Sequence, residues 1–356
     1  MEQVNKLDFS GQSIYVGLDV HKKSWSVSIF SEQCEHKKFT QPPEADKLAQ
    51  YLKRNFPGAA YQAVYEAGFC GFWAHDRLQE RGVNCIVVHP ADVPTTNKER
   101  TSKRDRIDCR KLARHLRSGE LKGIYVPTRL QLEDRSLVRS RQTLVRKQTR
   151  CKNQIKSFLL FYGLELPEEM VQSRWSKKFL HQLAEIRMER DSGHLALQSY
   201  LEELQQLRKL IAAVNRGIIL LSREAAYREM VQRLKTIPGV STLTAMILLT
   251  ELGDLTRFKN LDHLASYVGL IPDTKASGET EHIGGLTFRR NAQLRAVLIE
   301  AAWTASRLDP VLLLAFNQYC RRMKKTKAIV KIARKLLNRI RYVLKNQRDY
   351  VPGVIQ

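Results

Sequence analysis

Apolar residues in the N-terminal part of the chain occur in short runs separated by polar turns, a pattern of mixed strands and helices. Two runs rich in β-branched residues, at 14–18 and 25–30, flank the polar turn His21-Lys22-Lys23 and predict a β-hairpin. The pattern then predicts a short strand at 37–40, a helix at 45–55, a strand at 62–66, a helix at 72–81 and a strand at 84–89, which ends at Pro90.

With one more helix after Pro90, the elements follow the order β-β-β-α-β-α-β-α. A meander of strands combined with helical crossovers indicates one α/β domain whose sheet is partly parallel. This is also the element order of the ribonuclease-H-like fold. We therefore expect residues 1–127 to form a domain of that kind.

Heptad patterns dominate residues 128–228. One predicted helix has an apolar residue at every seventh position, and a second has two such series. The positions are Leu130, Leu137, Leu144, Cys151 and Phe158 in the first helix, then Leu197, Leu204, Ile211 and Ile218 with Tyr200, Leu207, Val214 and Leu221 in the second. This coiled-coil pattern favours a homo-oligomer, a dimer or a tetramer. Because Gly163 to Pro167 break the first helix, an intramolecular helical hairpin is the alternative.

Residues 229–356 have a mainly helical pattern with glycine-rich interruptions, so the predicted fold class is α/β followed by all-α. The stretch 321–345 contains many Lys and Arg residues and no acidic residue. It has an apolar face formed by Ile329, Ile332, Ala333, Leu336 and Ile340. We expect its cationic face to contact phosphate, and a solvated charged face is the alternative.

The charge balance points to a polyanionic partner. The chain has 60 Lys and Arg against 36 Asp and Glu, a formal net charge of +24, which would cause costly self-repulsion without such a partner. No stretch approaches the roughly 20 apolar residues of a spanning helix, so we expect no membrane association and a cytoplasmic protein. The six cysteines form no Cys-x-x-Cys pair, so we expect reduced thiols rather than a zinc knuckle or disulfides.

Four carboxylates lie at the ends of predicted elements. Asp19 ends the first strand, Glu66 ends the strand at 62–66, and Asp105 and Asp108 lie three residues apart at the start of a helix, on one helical face. If the two strands are neighbours, Asp19 and Glu66 reach the same edge of the sheet. His21 is a candidate further ligand, although a turn histidine that bonds locally is the simpler interpretation.

Such a cluster suits metal-dependent phosphodiester chemistry. Two Mg²⁺ ions about 4 Å apart can activate an attacking oxygen and stabilise a leaving oxygen. Carboxylates are the hard oxygen ligands that Mg²⁺ or Mn²⁺ prefers, and four of them without a metal would repel each other. We therefore predict that Asp19, Glu66, Asp105 and Asp108 bind metal and serve catalysis.

Several short motifs resemble the DEDD transposases of insertion sequences. They are GLDVHK at 17–22, YEAG at 65–68, DRIDCRKLA at 105–113, IPGV at 237–240, YVGLIP at 267–272, Ser277-Gly278 and the stretch 291–295. The resemblance spans nearly the whole chain. It implies a ribonuclease-H-like (RuvC-like) N-terminal domain similar to that of Holliday-junction resolvases, followed by a C-terminal transposase domain.

The resemblance also implies a mechanism. It implies a DNA recombinase guided by a bridge RNA that the element encodes, with separate RNA loops pairing with donor and target DNA. The four carboxylates would bind Mg²⁺, and Ser277 would attack the phosphodiester to form a covalent phosphoserine. The chain departs from the family pattern at Glu279, where relatives usually carry glycine, and at Phe288-Arg289-Arg290-Asn291, which replaces a common Lys-Arg-Gly-Asn.

Basic residues near these motifs are candidate nucleic-acid contacts, because guanidinium groups bind phosphate in a bidentate manner. They are Lys103, Arg104, Arg289, Arg290 and Arg295. The turn Ile237-Pro238-Gly239-Val240 resembles a helix-hairpin-helix element that presents backbone N–H groups to phosphate, and a plain connecting turn is equally compatible with it.

Three other functions remain open at the level of sequence. A structure-specific, metal-dependent endonuclease similar to a Holliday-junction resolvase would cut through the carboxylates without a covalent intermediate. An actin-like ATPase or sugar kinase also opens with a strand, an aspartate and a hairpin, but needs a second phosphate loop that this sequence lacks. An RNA-binding or assembly protein would use the basic coiled coil without catalysis.

Overall fold

The computed structural model describes residues 8–94, 105–164, 175–277 and 280–353, and within them the side chains of all but 105–107, 274–277 and 280–283. The chain divides into two compact units, Met1–Val126 and Pro127–Gln356.

The first unit is built on a five-stranded mixed sheet with the order β3-β2-β1-β4-β5. The strands are β1 (Ser13–Val20), β2 (Trp25–Phe30), β3 (Glu35–Gln41), β4 (Ala60–Glu66) and β5 (Asn84–Val88). The first three strands pair antiparallel as a meander, whereas β1 with β4 and β4 with β5 pair parallel. The predicted element order and the partly parallel sheet are confirmed.

Three helices cover the two faces of this sheet: α1 (Ala45–Asn55), α2 (Trp73–Glu80) and α3 (Asp105–Arg117). Val16 and Leu18 of β1 share one apolar cluster with Leu48 of α1 and Leu78 of α2. Val64 of β4 belongs to a second cluster, with Leu112 of α3. Because successive strand residues point to opposite faces, the sheet lies between α1 and α2 on one side and α3 on the other.

The second unit begins with a long helix, α4 (Arg129–Phe161). Thr128 caps it: its hydroxyl accepts from the Gln131 amide, and the Gln131 side chain accepts from the Thr128 amide. Helices α5 (Lys177–Glu185) and α6 (Asp191–Leu221) follow. A capping box of this kind satisfies two backbone N–H groups that would otherwise lack partners, so it defines where the helix starts.

Helices α4 and α6 pack against each other within one chain, in antiparallel directions. Arg141 Nε donates to Asn215 Oδ1 at 2.6 Å, and Cys151 Sγ contacts the Tyr200 carbonyl oxygen at 3.4 Å. The shared core contains Cys151, Ile155, Leu159, Leu197, Leu201, Leu204 and Leu207. Heptad residues such as Cys151, Leu197 and Leu204 therefore meet in an intramolecular hairpin, the alternative noted from the sequence, whereas Leu130 is 73% exposed. Self-association stays a prediction.

The rest of the second unit is mostly helical around one core. Its helices are α7 (Arg228–Lys235), α8 (Thr242–Leu252), α9 (Leu261–Val268), α10 (Ala292–Leu308), α11 (Pro310–Cys320) and α12 (Lys325–Asn346). The predicted apolar face of the basic helix is confirmed, since Ile329, Ile332, Ala333, Leu336 and Ile340 of α12 are all buried.

A two-stranded antiparallel sheet interrupts this helical region, formed by β6 (Pro272–Ser277) and β7 (Thr280–Leu286). The sequence pattern indicated a mainly helical region with glycine-rich interruptions here and did not identify these two strands. Backbone hydrogen bonds between the two strands hold this hairpin together. Its polar, glycine-containing strands show little of the alternating apolar pattern that identifies a strand.

None of the helices that the structure describes is long and apolar enough to cross a membrane.

Candidate functional site

Asp19 lies near the carboxyl end of β1, at the centre of the sheet in the first unit. Its carboxylate is 21% exposed, and its Oδ2 lies 3.1 Å from Nε2 of His21, in the turn after the strand. The local bond expected for His21 is therefore a bond to the candidate ligand itself. A hydrogen bond to this imidazole holds the Asp19 carboxylate in one orientation.

Glu66 occupies the neighbouring position on the next strand. The parallel register pairs Leu18 of β1 with Tyr65 of β4, so Asp19 and Glu66 follow one another across the two strands at the same edge. Glu66 is half-buried. The strand adjacency on which the sequence argument depended is present.

Strand alternation also decides the face on which these carboxylates lie. Asp19 is two residues after Gly17, which faces α3, and Glu66 is two residues after Val64, which packs with Leu112 of α3. Both carboxylates therefore belong to the face that α3 covers. Asp108, half-buried, lies in the first turns of that same helix.

Gly17 explains how closely α3 approaches. A Cβ built on Gly17 would lie 2.5 Å from the Ala113 amide nitrogen and closer still to the Cys109 carbonyl oxygen. Any larger residue would push the helix away from the strand. The glycine of the GLDVHK motif thus sets the separation between the strand of Asp19 and the helix of Asp108.

The Asp19 carboxylate affects the pKa values of two nearby thiols. Burial raises the pKa of Cys109 to about 11; the positive charge of Lys38 opposes this increase, and the Asp19 carboxylate adds to it by a smaller amount. Burial and then the Asp19 charge also raise the pKa of Cys70, whose Sγ lies 3.4 Å from the Val20 carbonyl oxygen. The field of Asp19 therefore reaches residues on α3 and in the loop after β4.

The donor set is the kind that a hard divalent cation takes: carboxylate oxygens from two strand ends and one helix. Within the side chains that the structure describes, no three His, Cys, Asp or Glu residues are already arranged as a metal site. The side chain of Asp105 and the whole of Lys103 and Arg104 lie outside that description. The roles of all these residues stay predictions.

Ser277 is the last residue of β6 and pairs with Thr280, the first residue of β7. Gly278 and Glu279 between them, and the Ser277 side chain, lie outside the described part of the chain. A register in which paired residues are separated by two positions is that of a two-residue hairpin loop. The candidate nucleophile is therefore placed at the loop end of a hairpin.

The predicted basic contacts after this hairpin divide into two kinds. Arg289 and Arg290 are exposed. Arg295 is half-buried, and its guanidinium donates to the Thr287 carbonyl oxygen at the base of the hairpin. Burial, and then the charge of Arg290, lower the pKa of Arg295. It anchors the hairpin base to α10, a structural role that the sequence did not indicate.

A buried carboxylate that sequence reasoning missed lies next to this anchor. Glu251 on α8 is 1% exposed, and both of its oxygens accept from Arg139 of α4, at 2.6 and 2.8 Å. Asn291 Nδ2 also donates to it at 2.9 Å. Burial alone would raise the pKa of Glu251, but the hydrogen bonds and charge of Arg139, aided by Asn291, hold it below its usual value.

Asn291 is at the same time the N-cap of α10. Its Oδ1 accepts from the backbone amides of Gln293 and Leu294, at 3.2 and 3.1 Å. One asparagine therefore joins Glu251, the start of α10 and the end of the hairpin segment. The signal in the sequence was the position of Asn291 before an apolar helix, which is typical of an N-cap.

Gly239, in the turn that resembles a helix-hairpin-helix element, has a packing role. Its φ is +88°, and a Cβ there would lie 3.1 Å from the Ala305 amide nitrogen and closer to the Ala301 carbonyl oxygen. The turn therefore lies directly against α10. This contact explains why the turn carries a glycine, and phosphate binding by its backbone N–H groups stays a prediction.

Models of known protein families match both halves of this chain. A DEDD transposase model of the IS110 type matches residues 16–163, and a model described as "Transposase IS116/IS110/IS902 family" matches residues 231–317. The first match covers Asp19, Glu66 and Asp108, and the second covers the hairpin of Ser277.

Individual relatives are similar over most of their length. "Putative transposase y4rJ" of Sinorhizobium fredii is 30% identical over 363 residues, covering 91% of this chain and 90% of the relative. "Putative transposase y4qE" of the same organism is 31% identical over 295 residues, 82% of this chain and 71% of the relative. The transposase for insertion sequence element IS1533 of Leptospira borgpetersenii is 27% identical over 256 residues, 70% of this chain and 72% of the relative. This chain therefore belongs to the IS116/IS110/IS902 family of insertion-sequence transposases.

Proposed function

We propose that this transposase cuts and rejoins DNA through a covalent bond between Ser277 and a strand end, with an element-encoded bridge RNA selecting donor and target. The observation that carries the proposal is the position of Ser277, at the loop end of a hairpin whose base is anchored by Arg295 and whose following helix is capped by Asn291. A nucleophile on a rigid support is held in a defined place at little entropic cost.

The proposed chemistry is a pair of transesterifications. The Ser277 oxygen attacks phosphorus, a P–O ester bond to serine forms, and the bond to one strand end breaks as the leaving oxygen takes a proton. A hydroxyl of the other DNA then attacks the same phosphorus, and the serine oxygen recovers a proton as it leaves. Because one ester replaces another at each step, rejoining needs no outside source of energy.

We infer that the first unit is ribonuclease-H-like, from the antiparallel β1–β3 meander followed by the parallel strands β4 and β5 with covering helices. Asp19, Glu66, Asp105 and Asp108 would hold Mg²⁺ or Mn²⁺. When bound, the metal would supply positive charge beside a phosphodiester oxygen. His21 would keep the Asp19 carboxylate oriented.

The nucleic-acid partners follow from charge. A formal net charge of +24 suits the simultaneous binding of donor DNA, target DNA and a guide RNA. The exposed Arg289 and Arg290 are close in sequence to the hairpin and would contact phosphate, as would Lys103 and Arg104, which precede Asp105 in the sequence. We expect the protein to act at the bacterial nucleoid, in the cytoplasm.

The test is to trap the covalent species. The full chain is purified with RNA transcribed from the non-coding DNA that flanks its gene, mixed with labelled donor and target DNA and Mg²⁺, and analysed on a denaturing gel. We expect a protein-linked strand that disappears in Ser277→Ala and persists in Ser266→Ala, which removes an exposed serine of α9.

Free cleaved ends that persist in Ser277→Ala would refute the serine mechanism. They would favour a metal-dependent endonuclease acting through the carboxylates, for which the adjacency of Asp19 and Glu66 at one sheet edge is the supporting observation. Omitting the RNA separates guidance from chemistry, because joining that is unchanged without it would refute the guide.

A further inference from the structure

A groove of about 560 Å³ lies on the second unit, between α11 and α12 and beside the start of α9. The described residues that line it belong to α9, α11 and α12. The lining residues are Leu261, Val311, Leu312, Ala315, Tyr319, Lys331, Arg334, Lys335, Asn338 and Arg339.

One wall is a cationic stripe along α12. Its four cations are Lys331, Arg334, Lys335 and Arg339, and with the neutral Asn338 they follow the spacing of residues that share one side of a helix. The opposite side of α12 is buried, with Ile332 and Leu336 fully inaccessible. Because that side is packed in the core, the stripe cannot rotate away from the groove.

Acidic residues neutralise only part of this wall. Asp262 pairs with Arg334, and the buried Asp309 lies 3.5 Å from Arg339. Within the residues that the structure describes, neither Lys331 nor Lys335 has an acidic partner, and no acidic residue lines the groove. The Lys331 ammonium lies 5.1 Å from the ring centre of Tyr319.

Arg339 has unused hydrogen-bonding capacity. Its Nη1 is buried and makes no hydrogen bond within the described part of the chain, although it lies within ion-pair distance of Asp309. That carboxylate already accepts from the Tyr350 hydroxyl at 2.5 Å and from the Leu312 amide at 2.9 Å. Because Nη1 is inaccessible to solvent and lies 3.5 Å from Asp309, Arg339 contributes positive charge to the groove wall rather than an accessible donor.

The other wall is apolar and partly aromatic, formed by Leu261, Val311, Ala315 and Tyr319. A duplex offers its phosphates to cations but keeps its base faces stacked and covered. An unpaired strand offers phosphates on one side and bases and sugars on the other, and proteins that bind it combine cationic grooves with aromatic platforms. Among the described residues that form this wall, Tyr319 has the only hydroxyl and none has a carboxylate, so few groups could bind a ribose 2′-hydroxyl and the wall suits deoxyribose better.

We propose that this groove binds a single strand of DNA, with phosphates on the α12 stripe and bases or sugars against α11. Such a site would hold a strand that has been separated from its complement during cutting and joining. The proposal goes beyond the serine chemistry and stands whether or not Ser277 is the nucleophile.

The first experiment measures fluorescence anisotropy of a fluorescein-labelled 20-nucleotide single-stranded DNA of mixed sequence with the full chain. The double variant Lys331→Ala/Lys335→Ala removes two groove cations. The matched control Lys325→Ala/Lys327→Ala removes two exposed cations from the first turn of the same helix, outside the groove.

We expect the groove variant to bind at least tenfold more weakly and to lower the slope of log Kd against log salt by about 1.4, as for two lost phosphate contacts. The control should change Kd less than threefold. Equal losses in both variants would overturn the proposal, because they would show a diffuse charge effect. Thermal melts of both variants verify that they are folded.

Tyr319→Leu tests the apolar wall. Loss of one stacked base should weaken single-strand binding by about five- to tenfold with the salt slope unchanged. Unlabelled competitors then identify the strand. Single-stranded DNA should compete better than the duplex or RNA of the same sequence, and a duplex or an RNA that competes equally well or better would overturn the assignment.

Discussion

Glu251 places a carboxylate inside the second unit, where an unpaired charge would be costly. Arg139 occupies both of its oxygens, and Asn291 adds a third hydrogen bond. The same Asn291 caps α10 beside the hairpin of Ser277, so this one residue connects α4, α8 and the candidate catalytic segment. We regard Glu251 as a positioning residue rather than a catalytic one.

Glu251→Gln should lower the free energy of unfolding by about 1–3 kcal/mol, because it removes a charge-assisted pair and leaves Arg139 imperfectly matched. The loss is moderate because Arg139 is 56% exposed and water screens the pair. Urea denaturation measures the change. Glu229→Gln, which breaks an exposed pair with Arg233, is the control and should change stability by less than 0.5 kcal/mol or so.

The same pair predicts a pH dependence. The pKa of Glu251 is lower in the folded protein than its ordinary value of 4.5, so its contribution is present above that pH and is lost as pH falls through the folded pKa. The stability difference between the wild type and Glu251→Gln should therefore shrink below about pH 4.5. A difference that stays constant down to pH 3 or so would contradict a charged Glu251.

Asp19 can be tested through its neighbour Cys70. The carboxylate raises the pKa of that thiol in addition to burial, so Asp19→Asn should lower the pKa and increase the thiolate fraction at pH 8. Alkylation of Cys70 by iodoacetamide, followed by peptide mass spectrometry, should be faster in the variant by roughly twofold. The exposed Cys34 serves as the internal standard, and an unchanged Cys70 rate would mean that the Asp19 charge does not reach it.

At the scale of elements, the contact between β1 and α3 determines whether the carboxylates share one place. Asp19 and Glu66 lie on the face of the sheet that α3 covers, and Asp108 lies near the start of that helix. Gly17 allows the two elements to approach to backbone contact. Even one added methyl group would clash with the backbone of α3. The strand and the helix can therefore approach this closely only when residue 17 is glycine.

Gly17→Ala should destabilise the first unit by about 1–3 kcal/mol or more, because the new Cβ would meet the backbone of α3. It should also weaken strand cleavage more than binding, since it displaces Asp108 from the strand of Asp19. Gly68→Ala is the matched control, because a Cβ there would meet only the Glu66 carbonyl oxygen, at 3.9 Å. Thermal melts and cleavage assays of both variants check this, and equal behaviour would refute a steric role for Gly17.

At the scale of the whole molecule, the long helix α4 already uses its buried face within the chain, against α6. A second copy of the chain could contact the apolar surface of α4 that is still exposed. Leu160 and Phe161 at the end of α4 are 80% and 82% exposed. Adjacent exposed apolar side chains of this size are typical of an interaction surface.

We therefore expect self-association to depend on this helix end. In sedimentation velocity the wild type should exceed the 41.1 kDa of one chain, whereas Leu160→Asp/Phe161→Asp should sediment as a monomer. Leu130→Asp, which places a charge at the exposed opposite end of α4, should leave the oligomer intact. A monomeric wild type would refute oligomerisation, and an unchanged double variant would refute this surface.

The sequence alone predicted the element order of the first unit, because short β-branched runs between polar turns are local signals. It predicted that Asp19 and Glu66 end their strands for the same reason. It also identified the buried face of α12, since a helix repeats its apolar positions every three or four residues. Charge alone indicated nucleic acid as the partner.

Tertiary structure decided the relations between distant segments. The parallel pairing of β1 with β4 and the covering helix α3 bring the carboxylates to one face. The bond between Arg139 and Glu251 joins residues 112 positions apart. A heptad pattern does not indicate whether the partner helix belongs to the same chain or to a second copy. The hairpin of Ser277 depends on backbone pairing rather than on its side-chain pattern. Each of these depends on contacts between segments far apart in the chain, which composition and periodicity do not record.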